Sequence, residues 1–243
     1  MTKHEHELTR KEMKGPDQFQ VAFGRAAAWV ASNEKRVAWI VAALAAVVAV
    51  GVGVSAWTGS REKQAAVLLY KALEDMEGVI SSVPVSALSA PTFKTAEEKQ
   101  RAVLAASEEV RRQYPSSEAA RTATLAAGEA HFKLGENDLA IAAWEEYLRS
   151  AKDGDSLRFA ALDGIARAQE AKGALDQAAG TFERLAGEAG FYRDRATLER
   201  ARVLAKAGKG AEARKLLQAF PTDFKDSQLR PEAQEMLARL GDK

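Results

Sequence analysis

The sequence predicts an all-α protein: one N-terminal transmembrane helix followed by an α-solenoid of antiparallel helix pairs. Three observations carry this. Val37 to Trp57 reads VAWIVAALAAVVAVGVGVSAW, a run without a charged side chain. From Ser116 onward, amphipathic segments alternate with glycine turns at a nearly constant interval. No stretch carries the period-two alternation of a half-buried strand.

Residues 1–16 are polar and mixed in charge and read as a flexible cytoplasmic tail. His4 and His6 lack a third ligand nearby, so they read as solvated side chains, not a metal site. Pro16-Asp17 is a helix-start signal, and residues 17–33 follow as an amphipathic juxtamembrane helix. Phe19, Phe23, Ala26, Ala27 and Val30 form its apolar face. Such a helix either lies in the membrane interface or extends the span N-terminally.

The span itself is residues 37–57, roughly 31 Å as an α-helix and so about the thickness of a bilayer's hydrocarbon core. Lys35 and Arg36 precede it, Arg61 and Lys63 follow it, and Trp39 and Trp57 sit where interfacial aromatics belong. The polar head before it and the length of the apolar run both exceed those of a cleaved signal peptide, so an uncleaved anchor is expected. Lys and Arg tie close to the span, but the short head adds Lys3, Arg10, Lys11 and Lys14. Because short segments govern orientation, the N-terminus is expected inside, in the cytoplasm, and the C-terminal domain outside. Ala45, Ala49 and Gly53 form a small-xxx-small stripe through which another membrane helix could approach.

Totals narrow the function. The 35 basic and 34 acidic residues nearly cancel, which argues against nucleic acid. A mean hydropathy of −0.29 fits one anchor on a soluble domain. Cysteine is absent, which removes disulfides, thiolate metal sites, thiol catalysis and a lipidated cysteine.

The remaining chain, 61–243, reads as one helical domain. Ala65, Leu69, Leu73, Met76 and Ile80 place a helix over 61–80, and the proline- and serine-rich 81–94 reads as a loop. Thr95 and Glu98 fit a capping box that starts a helix ended by Pro115. Then Gly135, Gly173 and Gly208 recur at offsets of 38 and 35, each followed five residues later by Ala140, Ala178 and Ala213. Trp144, Phe182 and Leu217 come four residues after each alanine, to fill the gap between helices. Repeats are placed near 117–151, 155–189 and 192–220, with a capping helix near 228–240.

This period, with its small residues, resembles the tetratricopeptide repeat. Gly128, Gly135, Ala140 and Trp144 occupy the family's places in the first unit, Leu162, Ile165, Ala166, Gly173, Ala178 and Phe182 in the second, and Ala201, Gly208 and Ala213 in the third. Tyr147 stands where a small residue is usual, and the prolines that close repeats are mostly missing. The resemblance implies a concave face lined by the first helix of each pair. On it fall Leu125, Glu129, Phe132, Lys133, Asp163, Arg167, Glu170, Arg195, Leu198, Arg202 and Lys206 as a partner-binding groove. The Lys and Asn pattern of a terminal-carboxylate clamp is absent. The charges on this face are either recognition groups or a solvated surface.

No catalytic residue, metal site or cofactor is expected. His131 reads as a packing residue, and the adjacent pairs Glu108-Glu109 and Glu145-Glu146 diverge too far on a helix to share a proton. No phosphate-binding loop, zinc-protease or serine-hydrolase motif occurs.

Head, anchor and repeats together resemble the YfgM-like family of ancillary Sec-translocon subunits. That resemblance implies a non-catalytic, chaperone-like module whose partners are translocon subunits, a periplasmic chaperone or client chains, besides membrane lipid. A structural or scaffold subunit of another envelope complex is the alternative. Neither nucleic acid nor a small-molecule substrate is implied.

Overall fold

The computed structural model describes residues 31–81, 91–152, 154–188 and 190–241, together with Phe23, Arg25 and Trp29. The tail expected at 1–16, most of the juxtamembrane helix 17–33 and the middle of the loop 81–94 lie outside the described residues. The chain divides into two compact units, Met1–Thr58 and Gly59–Lys243.

Helix α1 runs over Glu34–Glu77, 44 residues, and contributes to both units. In the first unit, every side chain from Ala38 to Thr58 is exposed. Among the described helices, α1 alone has the length and composition to cross a bilayer. Thr58 Oγ1 donates back to the Val54 carbonyl at 2.9 Å, so the hydroxyl adds no unsatisfied polar group to the apolar stretch.

The second unit is helical apart from one pair of two-residue strands. The C-terminal part of α1 is followed by α2 (Ala96–Gln113), α3 (Glu118–Lys133), α4 (Asn137–Ser150), α5 (Arg158–Ala171), α6 (Leu175–Glu188), α7 (Arg193–Lys206), α8 (Gly210–Asp223) and α9 (Arg230–Gly241). Each helix from α2 packs on the next, so the chain stacks as a solenoid. The helix expected over 61–80 stops at Glu77. Val79–Ile80 (β1) instead pairs in parallel with Thr92–Phe93 (β2), inside the stretch read as a loop. Two-residue strands have no periodicity to betray them. Their cause is tertiary: Phe93 is buried directly over Gly78, where an added Cβ would stand 2.4 Å from the ring, and the Lys99 ammonium donates to the Gly78 carbonyl at 2.7 Å.

Local chemistry sets the helix ends. Thr95 Oγ1 accepts the Glu98 N–H at 3.0 Å and the Glu98 carboxylate accepts the Lys94 N–H at 2.8 Å, which caps α2. Gly135, Gly173 and Gly208 have φ of +76°, +79° and +79°. At each, the next residue's N–H reaches back to the helix: Glu136 to the His131 carbonyl, Ala174 to Gln169 and Lys209 to Leu204, all at 2.9 Å. The three turns are one Schellman motif repeated, and the left-handed glycine makes it possible.

Small residues set the spacing. Ala140, Ala178 and Ala213 are wholly buried where each second helix crosses its first. Trp144 lies between two glycines: a Cβ on Gly128 would stand 2.5 Å from its indole, and one on Gly164 would stand 2.6 Å from it. Phe182 and Leu217 are buried at the corresponding places of the later pairs. At the C-terminal end, α9 buries Ala233 against the stack, leaves Gln234, Glu235 and Arg239 in solvent, and accepts a hydrogen bond from Arg214 on its Leu240 carbonyl at 2.8 Å.

Candidate functional site

The first helices α3, α5 and α7 present a face built from charged side chains over an aromatic floor. Within α5, Asp163, Arg167 and Glu170 recur at i, i+4 and i+7, one helical stripe. Arg167 Nε donates to Asp163 at 2.8 Å, and its Nη2 reaches Glu129 of α3 at 3.4 Å. Its guanidinium also lies 5.1 Å from the Phe132 ring centre, and Phe132 in turn leans on Trp144 at 6.1 Å. Lys133 Nζ approaches Glu129 at 3.5 Å. Leu125 is half-buried and packs into the cluster around Trp144.

Between α5 and α7 the contact is tighter. Arg202 grips Glu170 with two parallel hydrogen bonds, 2.7 and 2.5 Å, and Lys206 adds a third at 3.0 Å. The Arg202 hydrogen bonds hold the Glu170 carboxyl well below its ordinary range, at about 2. Asp163 goes the other way. Burial pushes its carboxyl up, with Glu199 and Glu129 adding to the effect, and Arg167 only partly offsets this.

Ten of the eleven residues expected on this face are at least partly exposed. Leu198 is the correction: it is 1% exposed and sits in the core with Phe182 and Leu217. The reason is helical phase. Arg195, Glu199, Arg202 and Lys206 share the i, i+4, i+7, i+11 stripe, and Leu198 lies about 100° away from Glu199 around the helix. Glu199, missed from sequence, bridges Arg202 at 2.7 Å and Arg195 at 3.8 Å. Arg195 also reaches Glu232 of α9 at 3.3 Å. Tyr192 was missed as well. It ends a 3₁₀ turn, Gly190–Tyr192, stacks near Phe159 at 5.4 Å, and has its phenol pushed up by burial and then by the charge of Asp163. Its sequence signal was faint, because a short turn has no period.

His131 is half-buried, its Nδ1 2.7 Å from the Glu136 carboxylate at the turn into α4. Tyr147, the departure from the small-residue pattern, is buried. Burial and a hydrogen bond to Asp155 raise its phenol, and the same hydroxyl helps hold Asp155 low after the Leu157 N–H. Ala45, Ala49 and Gly53 are all exposed on α1.

A sequence model of the tetratricopeptide repeat-like domain matches residues 27–241. The chain belongs to that family. A tetratricopeptide repeat-like fold is typically a non-catalytic protein-interaction module. Similar solved structures include the kinesin light chain nearly identical TPR-like repeats of Podosopora anserina and a single-residue variant of them. Each is 18% identical with a TM-score of 0.49, over 58% of this chain and 77% of that one. No curated protein matches the sequence.

Proposed function

We propose that this tetratricopeptide repeat-like protein is a non-catalytic binding module. Residues 37–57 anchor it in a bacterial inner membrane, with its N-terminus in the cytoplasm and its repeats in the periplasm. There the α3–α5–α7 face engages secretory or envelope proteins at the Sec translocon, in a chaperone-like role. One observation carries the reading: a fully exposed apolar stretch and a repeat unit with a charged first-helix face occur in one chain. An exposed run of this length is stable in lipid and costly in water.

Protease accessibility in spheroplasts against inverted inner-membrane vesicles tests the topology. Cleavage of the repeats in spheroplasts only is expected, and cleavage in inverted vesicles only overturns the reading. Photocrosslinking from Lys133, Arg167 and Lys206 tests the partner, with translocon subunits and many client chains as the expected products.

The second reading is a scaffold subunit of another envelope complex. The mutual pairing of Glu170, Arg202 and Lys206 favours it, because an already neutralised face suits one fixed partner that re-forms those pairs. A single stoichiometric crosslink would select it.

A further inference from the structure

The repeat unit has two edges, because its helices alternate in direction. One holds the turns at Gly135, Gly173 and Gly208. At the other, the starts of α1, α3, α5 and α7 are bonded to the ends of their neighbours. Arg61 donates to the Gln113 carbonyl at the end of α2 at 2.9 Å, and the Glu62 carboxylate accepts the Glu118 and Ala119 N–H groups at the start of α3, both at 3.1 Å. Arg158 of α5 reaches the Leu148 carbonyl of α4 at 3.3 Å and Glu188 of α6 at 2.9 Å. Ser227, just past α8, donates to Asp194 of α7.

This second edge is where the chain enters the unit. Trp57, the last residue of the expected span, precedes Arg61 by four residues. Four residues reach at most about 14 Å, whatever the angle between span and repeats. The glycine turns lie a helix further on, about 21 Å for the 14 residues of α4. A bilayer holding the span is therefore within reach of this edge first.

The edge carries the chemistry of a lipid surface. Phe191, in the α6–α7 connection, is 70% exposed, the most of any large hydrophobic side chain beyond α1 among the described residues of this unit. Phe159 meets its ring edge-on at 5.0 Å, which fixes it outward. Leu157, in the α4–α5 connection, is 40% exposed. The acids here are turned inward: Glu62, Glu188 and Asp194 are bonded as above, and Asp155 accepts the Leu157 N–H at 2.9 Å. The lysines are not. Lys63, Lys152 and Lys225 are exposed and make no ion pair among the described residues, against Asp223 and Asp226 as exposed acids. An aromatic ring sits well at headgroup depth, and lysines near it gain from anionic lipid.

We propose that this edge is a second membrane contact, with Phe191 and Leu157 among the headgroups of anionic lipid and Lys63, Lys152 and Lys225 facing their phosphates. It rests on the anchor reading above and adds to it a surface through which the repeats themselves meet the bilayer.

The test uses the full chain in phosphatidylcholine nanodiscs with or without phosphatidylglycerol. Because the chain has no cysteine, one fluorophore is placed by Phe191→Cys, Leu157→Cys, Leu139→Cys or Val48→Cys and quenched by lipids carrying a nitroxide on the headgroup or the acyl chain. Leu139 is the control, 53% exposed at the glycine-turn edge. With phosphatidylglycerol, headgroup quenching at 191 and 157 is expected to exceed that at 139 at least about twofold. It is expected to fall to the level of 139 without phosphatidylglycerol, or when Lys63→Glu, Lys152→Glu and Lys225→Glu are combined at unchanged helical content. If Phe191→Cys fails to fold, Leu157→Cys decides. Acyl-chain quenching at 48 reports the anchor separately. A quenched 48 with unquenched 191 and 157 overturns this inference alone, whereas an unquenched 48 overturns the anchor and this inference with it. Equal quenching at 191 in both lipids also overturns it. So does shielding of 191 and 157 only when other membrane proteins are reconstituted, since the edge then serves a protein.

Discussion

Alanine is abundant in both units of this chain and does opposite work in them. Between Ala38 and Ala56 every alanine is exposed, whereas Ala65, Ala72, Ala140, Ala178 and Ala213 are wholly buried between helices. The side chain is the same, so the partner surface makes the difference. In the first unit alanine keeps a helix apolar and thin. At those five positions of the second unit it sets how closely two helices approach, and there it leaves no room for change.

Five single substitutions probe that contrast, the first expected to be the most damaging. Gly164→Val drives a branched side chain into the Trp144 indole, which even a Cβ would approach to 2.6 Å. A loss of about 3 kcal/mol is expected, at the upper end of overpacking costs. Chemical denaturation measures it, and adding Trp144→Leu should recover part of the loss if the indole is the obstacle. Ala178→Leu overfills the crossing of α5 and α6 and is expected to cost about 2 kcal/mol. Ala46→Leu, the same change on the exposed stretch, should leave the melting of the repeats unmoved. Equal effects at the two sites would end the comparison.

Arg202→Gln sits lower on the scale, at about 1–2 kcal/mol, because the pair with Glu170 is only partly buried. Its pH dependence carries the information. Glu170 is held at about 2, below its ordinary 4.5, so its contribution is present above pH 4.5 and is lost as pH falls towards 2. Wild type and variant should therefore differ most near neutrality and converge in acid. Urea midpoints across pH 2–7 measure this, and a gap that widens in acid would contradict it. The smallest loss is expected for Gly173→Ala, about 1 kcal/mol, since its φ of +79° disfavours any Cβ.

Much of the repeat unit was legible because its rules are local and periodic. The turn glycines, the alanine five residues later and the large residue four beyond that can be read from sequence, as can the cap built on Thr95. The face of charged side chains was legible through the same period, apart from Leu198. One step of helical phase separates Leu198 from Glu199, and sequence offsets alone do not resolve a rotation of about 100°. The short β pairing had no period at all. It depends on Phe93 lying over Gly78, a contact across the chain that neither residue announces.

By itself, then, the sequence determined the helical class, the repeat interval, the left-handed turns and the exposed apolar stretch, because backbone propensity and side-chain periodicity act over a few neighbouring residues. Tertiary structure alone decided which groups meet. It joined Glu170 to Arg202, enclosed Trp144 between Gly128 and Gly164, and buried Asp75 beside Lys71. Those outcomes depend on separations of a few ångströms between distant segments, where burial and charge act through space and not along the chain.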